Sequence, residues 1–477
     1  MVVAKLRCLD FFNVLKSKLL FVIGAILLVT TIYVNFSLVT NVSDRLSHRL
    51  RPDRSHLDWS LYRETSANDS MTTSHPKSIF YRRGENFDYT VSRERSLVVC
   101  LHDKMLHMGL SLIRELRCLG NQELIQAYHC GRNELSNQSV EILFGLDNRV
   151  ELVDVCSDLL SRGIFSEGMS RMFQNWWIKP LALYHTDVRH VMLLDVDDII
   201  LRNPDVVRSL DGYLRTGTTF FYDRVRYGKR FLTGTDNDEM YLHRLLRQFN
   251  YSRFNISEGF APSQHMINSF AFRGLTTFEM DSSMVLVDKK RVGKTVMDII
   301  FWFITEERFR FRYSWGDKET FWLAFELAHV PYSFSPWGVS VVNSMPNEDL
   351  ENHPDSLCGT SILQFMPVHN SKAETAEVLY VNGKALLDPY PQGFNVKKAH
   401  QNALFNPVVT HMTPRQQRRQ IDKSIYPVQK FRMECLVGMG ATRLPEHFAR
   451  HLLRRRIHFT GLTMGVLGAL QHCEMFV

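Results

Sequence analysis

The chain has 477 residues, 45% hydrophobic and 12% aromatic, with a formal net charge of +7. This is a globular composition, long enough for up to about three average domains, or for one large α/β domain with a stem and a tail. The modest positive excess sits largely in flanking segments: Arg45, Arg49, Arg51 and Arg54 near one end, and Arg454, Arg455 and Arg456 near the other. Zinc-finger spacing, an aromatic and basic RNA-binding pattern and a basic heptad region are all lacking, so nucleic acid is not an expected partner.

The N-terminal segment carries the strongest compositional signal. Leu19 to Ser43 contains no charged residue, and Leu19 to Val34 is almost wholly apolar. That is enough for a membrane-spanning helix, placed over residues 19–39. Lys5, Arg7, Lys16 and Lys18 precede it, so the positive-inside rule puts residues 1–18 in the cytosol and the rest in the lumen. A cleaved signal peptide is the rival reading, but the charged N-region is long and no small-x-small site follows. Lumenal exposure makes the sequons at Asn35, Asn41, Asn68, Asn137, Asn250 and Asn255 coherent, although Asn35 is close to the membrane. Cys100, Cys118, Cys130, Cys156, Cys358, Cys435 and Cys473 follow the span. Their odd number leaves at least one thiol free or intermolecular, and no two have zinc-site spacing.

Residues 40–94 read as a polar stem, 95–400 as the ordered domain, and 401–477 as a basic extension with no assignable role. Within the domain, Ser96 to Leu101 has a short buried-strand pattern. Leu106, Leu110, Ile113 and Leu116 then mark one face of a helix that Gly120 can end. Strand patterns follow at Leu124 to His129 and Val150 to Val155, then a helix over Trp176 to Tyr184, then a strand over His190 to Leu194. Alternation of this kind predicts an α/β fold with a mostly parallel central sheet. Apolar segments at 284–287, 299–304 and 321–327 continue it.

The last of these strands ends on Asp195, and Asp197 and Asp198 follow before Ile199-Ile200-Leu201. Three carboxylates inside an apolar run call for a bound cation or for cationic partners. A hard divalent ion accepts carboxylate and diphosphate oxygens together. An acidic turn in solvent explains an isolated D-x-D equally well. So does the nucleophile strand of a haloacid dehalogenase-type phosphohydrolase, with Asp195 phosphorylated and Asp197 as acid and base. In that class, however, the motif opens its domain.

Five ordered blocks decide among these. Trp177-Ile178-Lys179-Pro180-Leu181-Ala182-Leu183 with Val191 to Asp197 and Arg202-Asn203-Pro204 resembles the donor-site block of the Golgi α-1,3-mannosyltransferase family, glycosyltransferase family 71. Thr216 to Arg224, Asp281 to Lys289, Trp315-Gly316-Asp317-Lys318-Glu319-Thr320-Phe321-Trp322, and Cys358-Gly359 through Gln364-Phe365 are similar to its later blocks, with Ser283 where the family has glycine.

The resemblance implies a GT-A-type fold, a GDP-mannose donor, Mn²⁺ (or Mg²⁺), retention of anomeric configuration, and a glycan or glycoprotein acceptor, all on a Golgi membrane. A UDP-sugar donor stays open, because a metal motif reads the diphosphate and not the hexose. Carried across by residue, Asp195 and Asp197 contact the metal and the nucleotide, and Lys179 and Asp281 line the donor pocket. Asp317 and Glu319 are the catalytic candidates, with helix capping as the structural alternative for Asp317. His369 is the candidate for a third metal ligand, with Gln364 in the same late segment. Asp198 is extra, either a supporting partner or solvated.

Overall fold

The computed structural model describes residues 79–343 (apart from 237), 355–369, 376–388, 409–419, 435–465 and 473. All belong to one compact unit, Thr73–Val477. The expected cytosolic stretch, the span at 19–39 and the stem up to residue 78 lie outside the described residues. Among the described residues no helix is long and apolar enough to cross a membrane.

The strands of the two large sheets are β1 (Tyr81–Arg83), β2 (Arg95–Cys100), β3 (Leu124–His129), β4 (Val150–Asp154), β5 (His190–Leu194), β6 (Asp198–Ile200), β7 (Thr218–Tyr222), β8 (Met280–Asp288), β9 (Ser340–Asn343), β10 (Ile362–Phe365), β11 (Val378–Asn382), β12 (His411–Met412) and β13 (Thr442–Arg443). The helices that matter here are α1 (Leu106–Cys118), α2 (Ile178–His185), α3 (Lys289–Trp302, interrupted at Gly293), α4 (Lys318–Leu327) and α5 (Glu446–Thr463).

The central sheet has the order β1-β4-β3-β2-β5-β8-β7. Its middle, β4-β3-β2-β5, is parallel, whereas β1 against β4, β8 against β5 and β8 against β7 are antiparallel. The sheet is therefore mixed rather than mostly parallel. The parallel strands are apolar on both faces because helices α2 and α3 cover one side. On the other side Leu97, Val99, Met192, Leu194, Met284 and Leu286, alternating along their strands, share a core with Leu110, Ile113 and Leu116 of α1. Helix α1 stops where Gly120 takes φ +85°.

A second sheet, β13-β12-β9-β10-β11-β6, is antiparallel throughout. Its edge strand β6 begins three residues after β5 ends, so Asp195-Val196-Asp197 is the turn that carries the chain from one sheet to the other.

The domain is wider than residues 95–400. Strand β1, inside the expected stem, hydrogen-bonds the edge of the central sheet. From the expected extension, β12 and β13 complete the second sheet, and α5 packs on α1. Arg418 ion-pairs with buried Glu279 and lies over the rings of Tyr222 (4.6 Å) and Phe270 (4.9 Å). Disulfides join Cys118 to Cys473, Cys130 to Cys156 and Cys358 to Cys435, leaving Cys100 as the free thiol among the described residues.

The packing of α5 is expected to make stability depend on pH. His458 Nδ1 lies 2.9 Å from Ser111 Oγ. Burial, with the charges of Arg455 and Arg114, lowers its pKa from 6.5 to about 4 against the opposing pull of Glu115. The folded protein therefore binds this proton less readily than the unfolded chain, so the stabilisation is complete above pH 6.5 and is lost as pH falls towards 4. That loss should reach up to about 3 kcal/mol, and His458→Gln should flatten the stability curve in this window when urea denaturation is followed against pH. An unchanged slope in the variant would remove His458 as its source.

Candidate active site

Asp195 stands at the C-terminal edge of the parallel strands, where an open α/β sheet offers a ligand crevice. Its backbone N–H donates to Ser283 O of the adjacent strand β8 at 2.8 Å. From helix α2, Lys179 reaches the same point, with Nζ 2.7 Å from Asp195 Oδ1, 2.8 Å from Ser282 O, and 3.3 Å from both Ser282 Oγ and Asp317 Oδ2. Lys179 is buried, not a helix-surface lysine. Burial acts to lower its pKa, but the carboxylates of Asp195 and Asp317 outweigh that and hold the ammonium well above the usual lysine range.

Asp317 immediately precedes α4 yet makes no side-chain cap. Its carboxylate turns inward instead: Oδ1 accepts from Ser282 Oγ at 3.2 Å, while buried Oδ2 has no hydrogen bond beyond the ionic contact with Lys179. Capping, the structural alternative, is not what this residue does.

Asp197 is half-buried; its Oδ2 accepts from Lys384 N at 3.1 Å and its Oδ1 from Asn382 Nδ2 at 3.2 Å. Asp198 is fully buried, not solvated. It accepts from Asn382 Nδ2 at 3.0 Å and from Asp195 N at 3.3 Å, which ties the turn to itself and to β11. Desolvation dominates at all three carboxyls. It lifts Asp195 to about 7, opposed by Lys179 and assisted by Asp197 and Asp317, and it raises Asp197 and, further still, Asp198. Crowding and burial thus favour the protonated forms here in the absence of a further cation. The Asp195 side chain is nevertheless 32% exposed, so this edge is open to a ligand.

Such a site fits a hard divalent cation. Among the described residues no group of three or more His, Cys, Asp or Glu side chains is placed to hold a metal ion by itself. Asp195 and Asp197 would hold the ion, with its other positions filled by diphosphate and water oxygens.

Three expected site residues fall elsewhere. Asp281 is buried in β8 with its acceptors filled by Ser283 N and Oγ (3.1 and 2.9 Å), Gln364 Nε2 (3.0 Å) and Tyr380 OH (3.1 Å). It joins the two sheets and does not line a pocket. Glu319, also fully buried, accepts from Glu279 N at 3.1 Å, Met280 N at 3.3 Å and Trp322 Nε1 at 2.6 Å. It fastens α4 to the start of β8, with both carboxylate oxygens engaged inside the core. His369 is exposed and remote from the acidic turn. Ile362 pairs with Asn382, and Asn382 with Asp198, so β10 runs away from that turn through Phe365 and His369 emerges beyond its far end. Phe321, Trp322 and Phe325 are plain core, as expected.

Sequence reasoning did not single out Ser282, Asn382, Glu115 or Arg455. Glu115, buried on α1, accepts from Ile200 N of β6 at 2.9 Å and pairs with His451 Nε2 (2.9 Å) and Arg455 Nε (3.1 Å) of α5. These residues brace the acidic turn from behind. For Glu115 the available signal was a carboxylate on the apolar face that Ile113 and Leu116 define.

The fold and site define an α/β protein with a partly exposed acidic turn at the end of its parallel strands, answered by one buried lysine and one inward-facing aspartate. The family described as "Mannosyltransferase putative" matches residues 95–366, more than half of the chain, and the chain belongs to it. The chain is 26% identical over 305 residues to alpha-1,3-mannosyltransferase MNT3 of Saccharomyces cerevisiae, covering 61% of this chain and 47% of that protein. It spans about half the length of the curated relatives it matches. Among solved structures it is similar to the mannosyltransferase Ktr4p of S. cerevisiae, at 12% identity and a TM-score of 0.33, over 49% of this chain and 65% of that one.

Proposed function

We propose that the protein is a GT-A-type glycosyltransferase that moves mannose, with retention of configuration, from GDP-mannose to a hydroxyl of a glycan acceptor. The observation that carries this is the pair of partly exposed carboxylates, Asp195 and Asp197, at the C-terminal end of the parallel strands within the region that places the chain in its family. An α-1,3 linkage is the one carried by the name of its relative.

A divalent cation at Asp195 and Asp197 would supply neutralising charge for the departing nucleoside diphosphate. The chain's own residues do the positioning. Lys179 fixes the rotamer of Asp195 and separates it from Asp317. Asp317 keeps a buried carboxylate oxygen, Oδ2, held only by its ionic contact with Lys179, which sets negative charge beside the centre to orient an acceptor hydroxyl or face positive charge on the sugar. Asp195 ends the fourth strand of the parallel set in chain order, which disfavours the phosphohydrolase reading. Exposed sequon residues Asn137, Asn250 and Asn255 and three disulfides support a lumenal, Golgi location behind a type II anchor.

The test is a panel of GDP- and UDP-sugars offered to the full-length protein with Mn²⁺. GDP-mannose should be the sugar consumed, with turnover abolished by excess chelator and restored by Mn²⁺. Turnover that survives chelation sinks the cation, and consumption of a UDP-sugar instead replaces the donor.

A further inference from the structure

Beside Asp317 the surface carries aromatic rings that the core does not use. Trp176, one turn before Lys179, is 62% exposed, and Trp315, two residues before Asp317, is 38% exposed. Each has a built support. The Trp176 ring lies on Gly316, where φ is +73° and a Cβ would stand 3.0 Å from Trp176 Cε3, so only glycine admits the ring this close. Trp315 meets the Phe231 ring edge-on at 5.9 Å. Phe231 is itself a non-glycine residue at φ +54°, a strained conformation of the kind that clusters at functional sites.

Two guanidiniums flank the rings. Arg230 lies 5.2 Å from the Phe231 centroid and 5.9 Å from that of Trp315; Arg312 lies 5.5 and 5.7 Å from the same two. Neither forms an ion pair with a described residue, and Arg230 Nη2 is buried without a hydrogen-bond partner. The neighbouring Trp177 shows what a structural tryptophan looks like here, for it is packed edge-on to Tyr313 at 6.0 Å and covered by Arg308 at 4.9 Å.

We infer that Trp176 and Trp315, with Arg230 and Arg312, form the subsite for the terminal hexose of the glycan acceptor. This rests on the glycosyltransferase reading and adds to it the place from which the acceptor hydroxyl is presented. A hexose has one face of C–H groups that desolvates well on an exposed indole, and a rim of hydroxyls that guanidinium N–H groups can hold. Trp315-Gly316-Asp317 is continuous and the Trp176 ring lies on Gly316, so a sugar on this shelf lies beside the segment that carries Asp317. Alternative occupants, a membrane surface or a partner protein, would not require the shelf to adjoin the reacting centre.

The experiment compares the full-length protein with Trp315→Ala and with Trp176→Ala/Trp315→Ala, using Leu214→Ala, exposed on another helix, as the control. Binding of an α-linked mannobiose is followed by saturation-transfer NMR, and transfer to it is compared with hydrolysis of the donor. The subsite predicts that Kd rises at least tenfold in the double variant, and that the ratio of transfer to hydrolysis falls at least tenfold through the acceptor KM. Wild-type-like binding in the double variant, equal loss of transfer and hydrolysis, or no mannobiose signal from the wild type overturns it. Mannobiose binding that depends on both tryptophans, in a protein that consumes no nucleotide-sugar, keeps the subsite and removes the donor reading.

Discussion

Asp197→Ala is expected to lower transfer from GDP-mannose by about 10²–10³-fold, the usual effect of deleting one preorganised electrostatic contact with developing charge. The fold should survive it. The substitution forfeits two hydrogen bonds, from Lys384 N and Asn382 Nδ2, at about 1 kcal/mol each. It also relieves the crowding of three carboxyls, which offsets part of that loss, because Asp197 opposes the ionisation of both Asp195 and Asp198. Initial rates at saturating Mn²⁺, set beside thermal melting, should therefore separate activity from stability at this position. Asp195→Ala would not allow the separation, since it strips buried Lys179 of its shortest ionic partner. A fall of less than tenfold in the Asp197 variant would remove that carboxylate from the chemistry.

The parallel half of the central sheet was legible because strands buried on both faces are continuous apolar runs. Strands β2, β3 and β5 and helix α1 stand within a residue or two of where Ser96 to Leu101, Leu124 to His129, His190 to Leu194 and Leu106 to Leu116 place them. Strand β1 was not legible, for an edge strand reading Tyr-Arg-Arg has no apolar pattern to find. At the site, the acidic turn and Lys179 were visible as motifs. Whether an acidic residue in an apolar segment faces a ligand or a ring of internal donors was not. Asp281, Glu319 and Asp317 look alike in sequence, yet the first two are saturated by N–H and O–H groups from neighbouring elements and the third is not. Those donors come from residues close in space and distant in the chain. The family blocks themselves meet in this way: Lys318 with Asp223, Gln364 with Asp281, Lys179 with Asp195 and Asp317.

The C-terminal helix supplies the second large effect. Arg454-Arg455-Arg456 falls in the basic extension to which the sequence assigned no role, but Phe448, Leu452, Phe459 and Leu462 form a stripe at spacings of four, seven and three residues, and Arg455 fills the long gap, fully buried. Its Nε stands 3.1 Å from Glu115 Oε1, and its Nη2 lies 3.5 Å from Asp198 O. Removing one member of a buried pair leaves the other charge uncompensated, at a cost of about 3–5 kcal/mol. Arg455→Met should destabilise the protein by that amount, a large share of a typical total of about 5–15 kcal/mol. Glu115→Gln on the same background should restore much of it, because the neutral amide still offers Ile200 N an acceptor while the stranded charge disappears. Denaturant titrations of the two single variants and the double variant give the coupling directly, and strict additivity would show that the pair does not act as a unit. Ile200 lies two residues beyond Asp198 in the strand that anchors the acidic turn. Arg455→Met should therefore also raise the KM for GDP-mannose, and Glu115→Gln should bring it back towards the wild-type value.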